Sequence, residues 1–377
     1  MGFLKLSRVS SLFLVLCLVL YCFSPEIHRL GDHVRQTNPL SGQRHVEQAF
    51  TPTPGELACL HGLSPRPGGP SHHVSPDPDA VSVMGTIPNI VHFIFLQRHP
   101  LGHAGQGDFD FLAYLSVRSA IVSLRPDRVL LHYSYTGQPY SQRANGTTEA
   151  RDDPLIDRNP WIRRLKANVE LVRHRRLDSS LHHAEHLADT MRLEVLLAHG
   201  GIYMDIDAFA LRPFTDILST PRPHDVVLGN EGGNRAGLCN AIVAARPNSA
   251  FVERWLQTYK GVDLNKEWNY HSVVLPKLLA AKHPDEVCEL PPDAFFWPTW
   301  TWRHVQWMHE PIDRAEARWW QGKMEQTGGG LFENQLAYHA WSQMARGRFL
   351  ERLTPQVVRD EDTRFNLLMR RFVEEDL

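Results

Sequence analysis

The sequence has no excess of positive charge, no CxxC pair, no HExxH and no internal repeat, and each absence removes a class of protein. Forty Lys and Arg stand against forty-two Asp and Glu, a formal net charge of -2. Nothing there supplies the counterion-release affinity of a nucleic-acid binder. Five Cys in 377 residues are too few for a disulfide-built mini-domain, and without CxxC there is no zinc-ribbon or dithiol signature. Without HExxH there is no zinc-protease helix. The glycine runs Gly232-Gly233 and Gly328-Gly329-Gly330 lack phosphate-loop spacing and read as turns. What is present is 42% hydrophobic and 22% charged residues, which suits one large domain or two modest ones with a buried core.

The amino-terminal part differs from the rest. Val9 to Phe23 (VSSLFLVLCLVLYCF) carries no charge and follows Lys5 and Arg8. As a helix it would be ~22 Å long, short for an average bilayer and tolerable in a thin early-secretory one. It reads as a transmembrane signal anchor with a cytosolic tail; the alternative is the h-region of a cleaved signal peptide. Prolines such as Pro25, Pro39, Pro52, Pro65 and Pro76 then break every apolar period, so the segment reads as an extended stem. The expected organisation is a tail at 1–8, an anchor at 9–23, a stem at 24–84 and a luminal globular domain at 85–377. The sequon Asn145-Gly146-Thr147 suits a luminal surface. In an oxidising lumen Cys239 and Cys288 can pair, leaving Cys59 over; buried free thiols are an equal alternative.

Within the globular part, strand and helix patterns alternate. Ile87 to Leu96 is β-branched and aromatic, Phe109 to Leu124 has helical apolar spacing, and Arg128 to Tyr135 and Val169 to His174 read as further strands. A helix capped by Ser179 or Ser180 follows, with Ala184, Leu187, Ala188, Met191, Val195 and Ala198 as its apolar stripe. Gly200-Gly201 stops it, and Ile202 to Phe209 reads as a strand. The charged end from Arg359 to Leu377 reads as one surface helix capped by Asp362 or Thr363. This order predicts an α/β fold: a Rossmann-like, mostly parallel sheet with helices on both faces.

The chemistry concentrates in Gly200-Gly201-Ile202-Tyr203-Met204-Asp205-Ile206-Asp207. On a strand, Tyr203, Asp205 and Asp207 share a face. Two carboxylates so placed repel unless a cation or donor-rich ligand lies between them, and oxygen ligation suits Mn²⁺ or Mg²⁺. A bare D-x-D is common; the apolar strand and amphipathic helix before it give this one its weight. Asp189 and Arg192 lie off the apolar stripe, and their spacing alone reads as a surface ion pair.

Ala188 to Phe214 (ADTMRLEVLLAHGGIYMDIDAFALRPF) resembles the sugar-nucleotide-binding region of the DXD-containing glycosyltransferases, and most closely family 32, which groups fungal mannosyltransferases with animal α-1,4-glycosyltransferases. Ile87 to Phe95 (IPNIVHFIF) is similar to that family's opening strand, with Phe95 at its aromatic position. His339-Ala340-Trp341 is similar to its late H-x-W. The resemblance implies a GT-A fold and a retaining, metal-dependent transfer of a hexose from GDP-mannose or a UDP-sugar to a glycan or glycolipid.

It also implies roles. Asp207 binds Mn²⁺ (or Mg²⁺) directly; Asp205 binds ribose, or the metal through water; His339 approaches the metal or diphosphate. Asp189 and Arg192 hold donor hydroxyls, Tyr203 lines the donor pocket, and Phe95 and Trp341 belong to the substrate-binding set. The expected location is the Golgi membrane, with the domain luminal. Alternatives are a haloacid-dehalogenase-like phosphatase using Asp205 and Asp207, and an inactive luminal sugar-binding protein. The indole-rich stretch from Trp297 to Trp320 reads mainly as core or rim, with Trp300 or Trp302 as candidates to line an acceptor site.

Overall fold

The computed structural model describes residues 46, 50–64, 86–98, 109–136, 159–174, 184–260 and 269–377. Its main sheet has seven strands: β1 (Ile90–Arg98), β2 (Arg128–Thr136), β3 (Glu170–Arg173), β4 (Gly201–Met204), β6 (Val226–Glu231), β7 (Gly237–Ala245) and β8 (Val287–Leu290). Their order is β3-β2-β1-β4-β7-β6-β8. The β3-β2-β1-β4 half is parallel, whereas β7 runs antiparallel to both neighbours. The chain winds outward from β1 through β2 to β3 and then returns to β4 on the other side of β1. Where winding reverses, the strand ends leave a crevice, so the carboxyl end of β4 is where a site is expected.

Side-chain alternation divides the core into two layers. Ile202 and Met204 of β4 face one layer, with the helix Phe111–Leu124. Tyr203 faces the other, with Met191, Leu193 and Leu196 of the helix Ala184–His199 and with Phe251 and Trp255 of the helix Ala250–Gln257. The helix Ala184–His199 is therefore covered on two sides, which buries Leu193 and Leu196 and leaves Ala198, expected in the stripe, exposed. Gly200 ends it at φ 65° and Gly201 follows at φ 105°. A Cβ on Gly201 would stand 2.4 Å from the Ile90 carbonyl oxygen, so only glycine lets β4 start this close to β1.

Four expectations are corrected here. The fold class was expected to include a membrane-spanning anchor ahead of the sheet; among the described residues no helix is long and apolar enough to cross a membrane, and what they form is a mixed α/β, GT-A-like sheet. Residues 1–23 and the sequon at Asn145 lie outside the described residues. The expected boundary at residue 85 does not mark where packed structure begins. Pro54–Leu60 is a helix, started by a capping box between Thr53 and Glu56. Glu56, buried, takes Arg235 and Asn230, and Trp297 Nε1 donates to the Val46 carbonyl at 2.9 Å. The disulfide joins Cys59 to Cys288, with Cys239 a free buried thiol, rather than Cys239 to Cys288. The carboxyl-terminal segment is no surface helix: Arg364–Met369, capped by Thr363, is buried throughout.

A line of imidazoles crosses the sheet. His92 Nε2 meets the Gly200 carbonyl at 2.9 Å, His92 Nδ1 meets His132 Nε2 at 3.0 Å, and His132 Nδ1 meets His174 Nε2 at 2.8 Å. A carbonyl only accepts, so His92 carries its proton on Nε2, and each following ring donates from Nε2 in turn. All three are then neutral. Burial lowers the pKa of His92 to about 4 and of His132 to about 3. The unfolded chain binds protons first as pH falls below 6.5, so stability is lost from there downward. Each enclosed ring should contribute about 2 kcal/mol to that loss between pH 6.5 and 5. Urea unfolding at pH 7.5 and pH 5 measures it, and equal midpoints would refute it.

Candidate functional site

The expected strand from Ile202 to Phe209 is two strands with a turn between them. β4 ends at Met204; the Asp205 N–H still bonds the Ala241 carbonyl of β7 at 2.8 Å, and the Ala208 N–H then bonds the Asp205 carbonyl at 2.9 Å. The chain leaves the main sheet as β5 (Ala208–Ala210), which pairs antiparallel with β9 (Ala337–His339). Asp205 and Asp207 thus lie on a turn and not on one strand face. The ladder sets Ala208 opposite His339, and the Ala340 N–H bonds the Asp207 carbonyl at 2.9 Å. This pairing brings together residues 132 apart in sequence.

Asp205, Asp207 and His339 form the candidate metal centre: one ligand atom from each lies within 4.8 Å of the others. His339 Nε2 is 3.1 Å from Asp207 Oδ1 and 4.0 Å from Asp205 Oδ2. Asp207 Oδ2 accepts the Ser342 N–H at 2.9 Å. Burial pushes the Asp207 carboxyl up, but His339 and Ser342 outweigh it and hold the group well below its usual range. Burial would lower His339, yet the facing Asp207 raises it instead. Burial raises Asp205, opposed by Arg192 and reinforced by Asp207. Two carboxylates held this close need a positive partner, which a proton on His339 supplies and a divalent ion would supply better. The donor set, two carboxylate oxygens and an imidazole, fits such an ion, and the imidazole favours Mn²⁺ over Mg²⁺.

The other expected residues are placed as follows. Tyr203 donates its hydroxyl to Asp205 Oδ1 at 2.5 Å. Arg192 reaches the same oxygen at 3.0 Å, Asp189 Oδ1 at 3.1 Å and the Asn240 carbonyl at 2.9 Å, and stacks on the Tyr203 ring at 4.5 Å. Asn240 Nδ2 donates to Asp189 Oδ1 at 2.7 Å. Asp189 and Arg192 are therefore no surface pair: both are buried, and they brace Asp205 from beneath. Trp341 is buried as well, with Nε1 on the Pro298 carbonyl at 2.9 Å and its ring 4.3 Å from that of His339. It holds φ at +53°, a costly conformation for a bulky residue, and so aims the Ser342 N–H at Asp207. Phe95 packs edge-on against Phe109 in the core and presents no open face for a nucleobase.

Three contributors escaped the sequence reading. Asn240 and the Ser342 N–H give no local signal. Glu231 ends β6 beside the site; burial raises its pKa, and it accepts the Trp300 indole N–H at 2.7 Å. Trp300 is thereby fixed near the site, while Trp302 is exposed.

Residues 137–223 match the family described as "Glycosyltransferase sugar-binding region containing DXD motif". The chain is similar to Glucan organizing enzyme 1 of Cryptococcus neoformans var. grubii, 32% identical over 296 residues that cover 76% of this chain and 71% of the relative. It is also similar to O-glycosyltransferase braB of Annulohypoxylon truncatum, 24% identical over 186 residues, 41% of each chain. Among solved structures, the glycosyltransferase GlyE of Streptococcus pneumoniae TIGR4 aligns over 76% of this chain and 60% of that one, at 9% identity and a TM-score of 0.38.

Proposed function

We propose that this chain, which belongs to the DXD-motif glycosyltransferase family, moves a hexose from a nucleotide sugar to a glycan or glycolipid acceptor, with retention of anomeric configuration, as enzymes of family 32 do. The observation that carries the reading is the Asp205, Asp207 and His339 cluster at the carboxyl end of β4, beside the reversal of winding. Asp207 and His339 would hold a divalent ion, Mn²⁺ in preference to Mg²⁺, with Asp205 bound to it through water or turned to the ribose. Such an ion grips a diphosphate and neutralises the charge that grows as it leaves. Tyr203 and Arg192 fix Asp205, and Ser342 and Trp341 fix Asp207 and His339, so the carboxylates need no reorganisation when substrate arrives. In the transfer, the bond from the anomeric carbon to the diphosphate breaks and the acceptor oxygen bonds that carbon on the same face. The acceptor proton passes to a phosphate oxygen of the leaving group.

The donor is GDP-mannose or a UDP-sugar; the name of the fungal relative adds glucan to the acceptor candidates. An oxidising secretory compartment, the Golgi lumen, suits the Cys59–Cys288 disulfide. A phosphatase would need Asp205 as an attacking carboxylate, but Tyr203 and Arg192 both bind its Oδ1 and blunt it.

The test is thermal unfolding with GDP or UDP at 100 times its Kd. Nucleotide with Mn²⁺ should stabilise the protein by ~2.7 kcal/mol, and nucleotide with a chelator should give little shift. If neither nucleotide raises the melting temperature in the presence of Mn²⁺, the donor-site reading is lost.

A further inference from the structure

A cavity of about 480 Å³ lies outside the Asp205, Asp207 and His339 cluster. Its volume falls within the roughly 300–1,000 Å³ of small-molecule sites. Four indoles, Trp297, Trp307, Trp319 and Trp320, form much of the wall. Trp319 stands at the mouth, 58% exposed, although an indole gains by being covered. Cavity and metal centre share no lining residue. They are neighbours nonetheless, because Phe296, next to Trp297, meets the His339 ring edge-on at 6.1 Å.

The charges in the wall narrow the ligand class. Asp293 and Glu316 are balanced by Lys323 and Arg364. Arg364 is spent on Glu310 and Glu316 and lies over the Trp307 ring at 4.2 Å, and Lys323 sits 5.4 Å from the Trp319 ring. No net field remains to draw an anion or a cation. Polar groups nevertheless interrupt the aromatic wall, the carboxylate of Asp293 and the guanidinium of Arg364, on side chains only 7% and 6% exposed. A carboxylate accepts and a guanidinium donates, and a hydroxyl can answer either. An apolar peptide segment would have nothing to offer either group, and an anion would be repelled by Asp293. A ligand with C–H-rich faces to lie on indoles and hydroxyls around its edge meets every requirement.

We infer that this cavity is a second saccharide site, one that holds a neutral oligosaccharide without transferring sugar. It goes beyond the transfer reaction and does not depend on the donor reading. The full chain is titrated with neutral tetrasaccharides of glucose, mannose and galactose, followed by tryptophan fluorescence and calorimetry. At least one should bind saturably, and equally well in Asp207→Asn. Trp319→Ala, an exposed position where folding is safe, should weaken binding by roughly tenfold. Asp293→Asn, which keeps the volume, should weaken it about fivefold. Both variants should keep the thermal shift given by nucleotide and Mn²⁺. The inference is overturned if no tetrasaccharide binds, if both variants bind like the unaltered chain, or if Asp207→Asn abolishes binding and so places the sugar at the metal centre. Loss of the nucleotide shift with saccharide binding intact would instead remove the donor reading alone.

Discussion

Asp207→Asn is expected to slow sugar transfer about 10³-fold, equivalent to roughly 4 kcal/mol of transition-state stabilisation, with the fold intact. The substitution keeps the size of the side chain and removes the charge that both His339 and the Ser342 N–H address. Asparagine can still accept from Ser342, so the turn should hold, but it is a poor ligand for a hard cation. Initial rates with saturating donor and Mn²⁺ measure the effect, and a urea midpoint within about 1 kcal/mol of the unaltered chain excludes unfolding. The nucleotide-dependent thermal shift should vanish in the same variant. A rate within tenfold of the parent would mean that Asp207 does not carry the charge of the reaction.

Opening the Cys59–Cys288 bridge should cost about 5 kcal/mol of folding stability. The two residues are 229 apart, and in the chain-entropy picture a loop of that size strongly restricts the unfolded ensemble. Denaturant midpoints of the oxidised protein, the reduced protein and Cys59→Ala/Cys288→Ala give the value; Cys239→Ala, which breaks no bridge, serves as the control. A loss under 1 kcal/mol would show that the unfolded chain is not held by this loop. The helix Pro54–Leu60, with Glu56 inserted between Arg235 and Asn230, belongs to the same stabilising unit. A chain started at Gly85 would forfeit all of it, contrary to the expectation that these residues only tether.

The regular elements were legible where periodicity and caps agreed. Phe111–Leu124 begins one residue after Asp110, whose side chain caps the Ala113 N–H, and the apolar runs of β1 and β2 lie where β-branched residues cluster. The identities of Asp205, Asp207, Tyr203 and His339 were legible too, as motif and as resemblance. Their geometry was not. Ile202 to Phe209 alternates like an unbroken strand, and what breaks it is the capture of Ala208–Ala210 by a strand far along the chain. Spacing made Asp189 and Arg192 look like a surface pair; Asn240 of β7 and the covering helix Ala250–Gln257 bury them. Cysteine arithmetic could not choose a pairing, because flanking prolines disguised the helix that carries Cys59. One local signal was present there: Thr53 and, three residues on, Glu56 form a capping box.

The two-stranded β5-β9 ribbon also fixes an order of events during synthesis. Asp207 leaves the ribosome 132 residues before His339, a delay of roughly 7 to 26 s at about 5–20 residues per second. The β1-β2-β3-β4 half can pair in that interval, yet its carboxylate turn has neither its imidazole nor the Ser342 amide. A nascent chain therefore carries the turn with Arg192 beside Asp205 but with nothing facing Asp207 until β9 and the residues after it have been made. The candidate metal centre is thus completed only by β9, so a chain cut short before that strand would keep most of its sheet and lack the imidazole of the cluster.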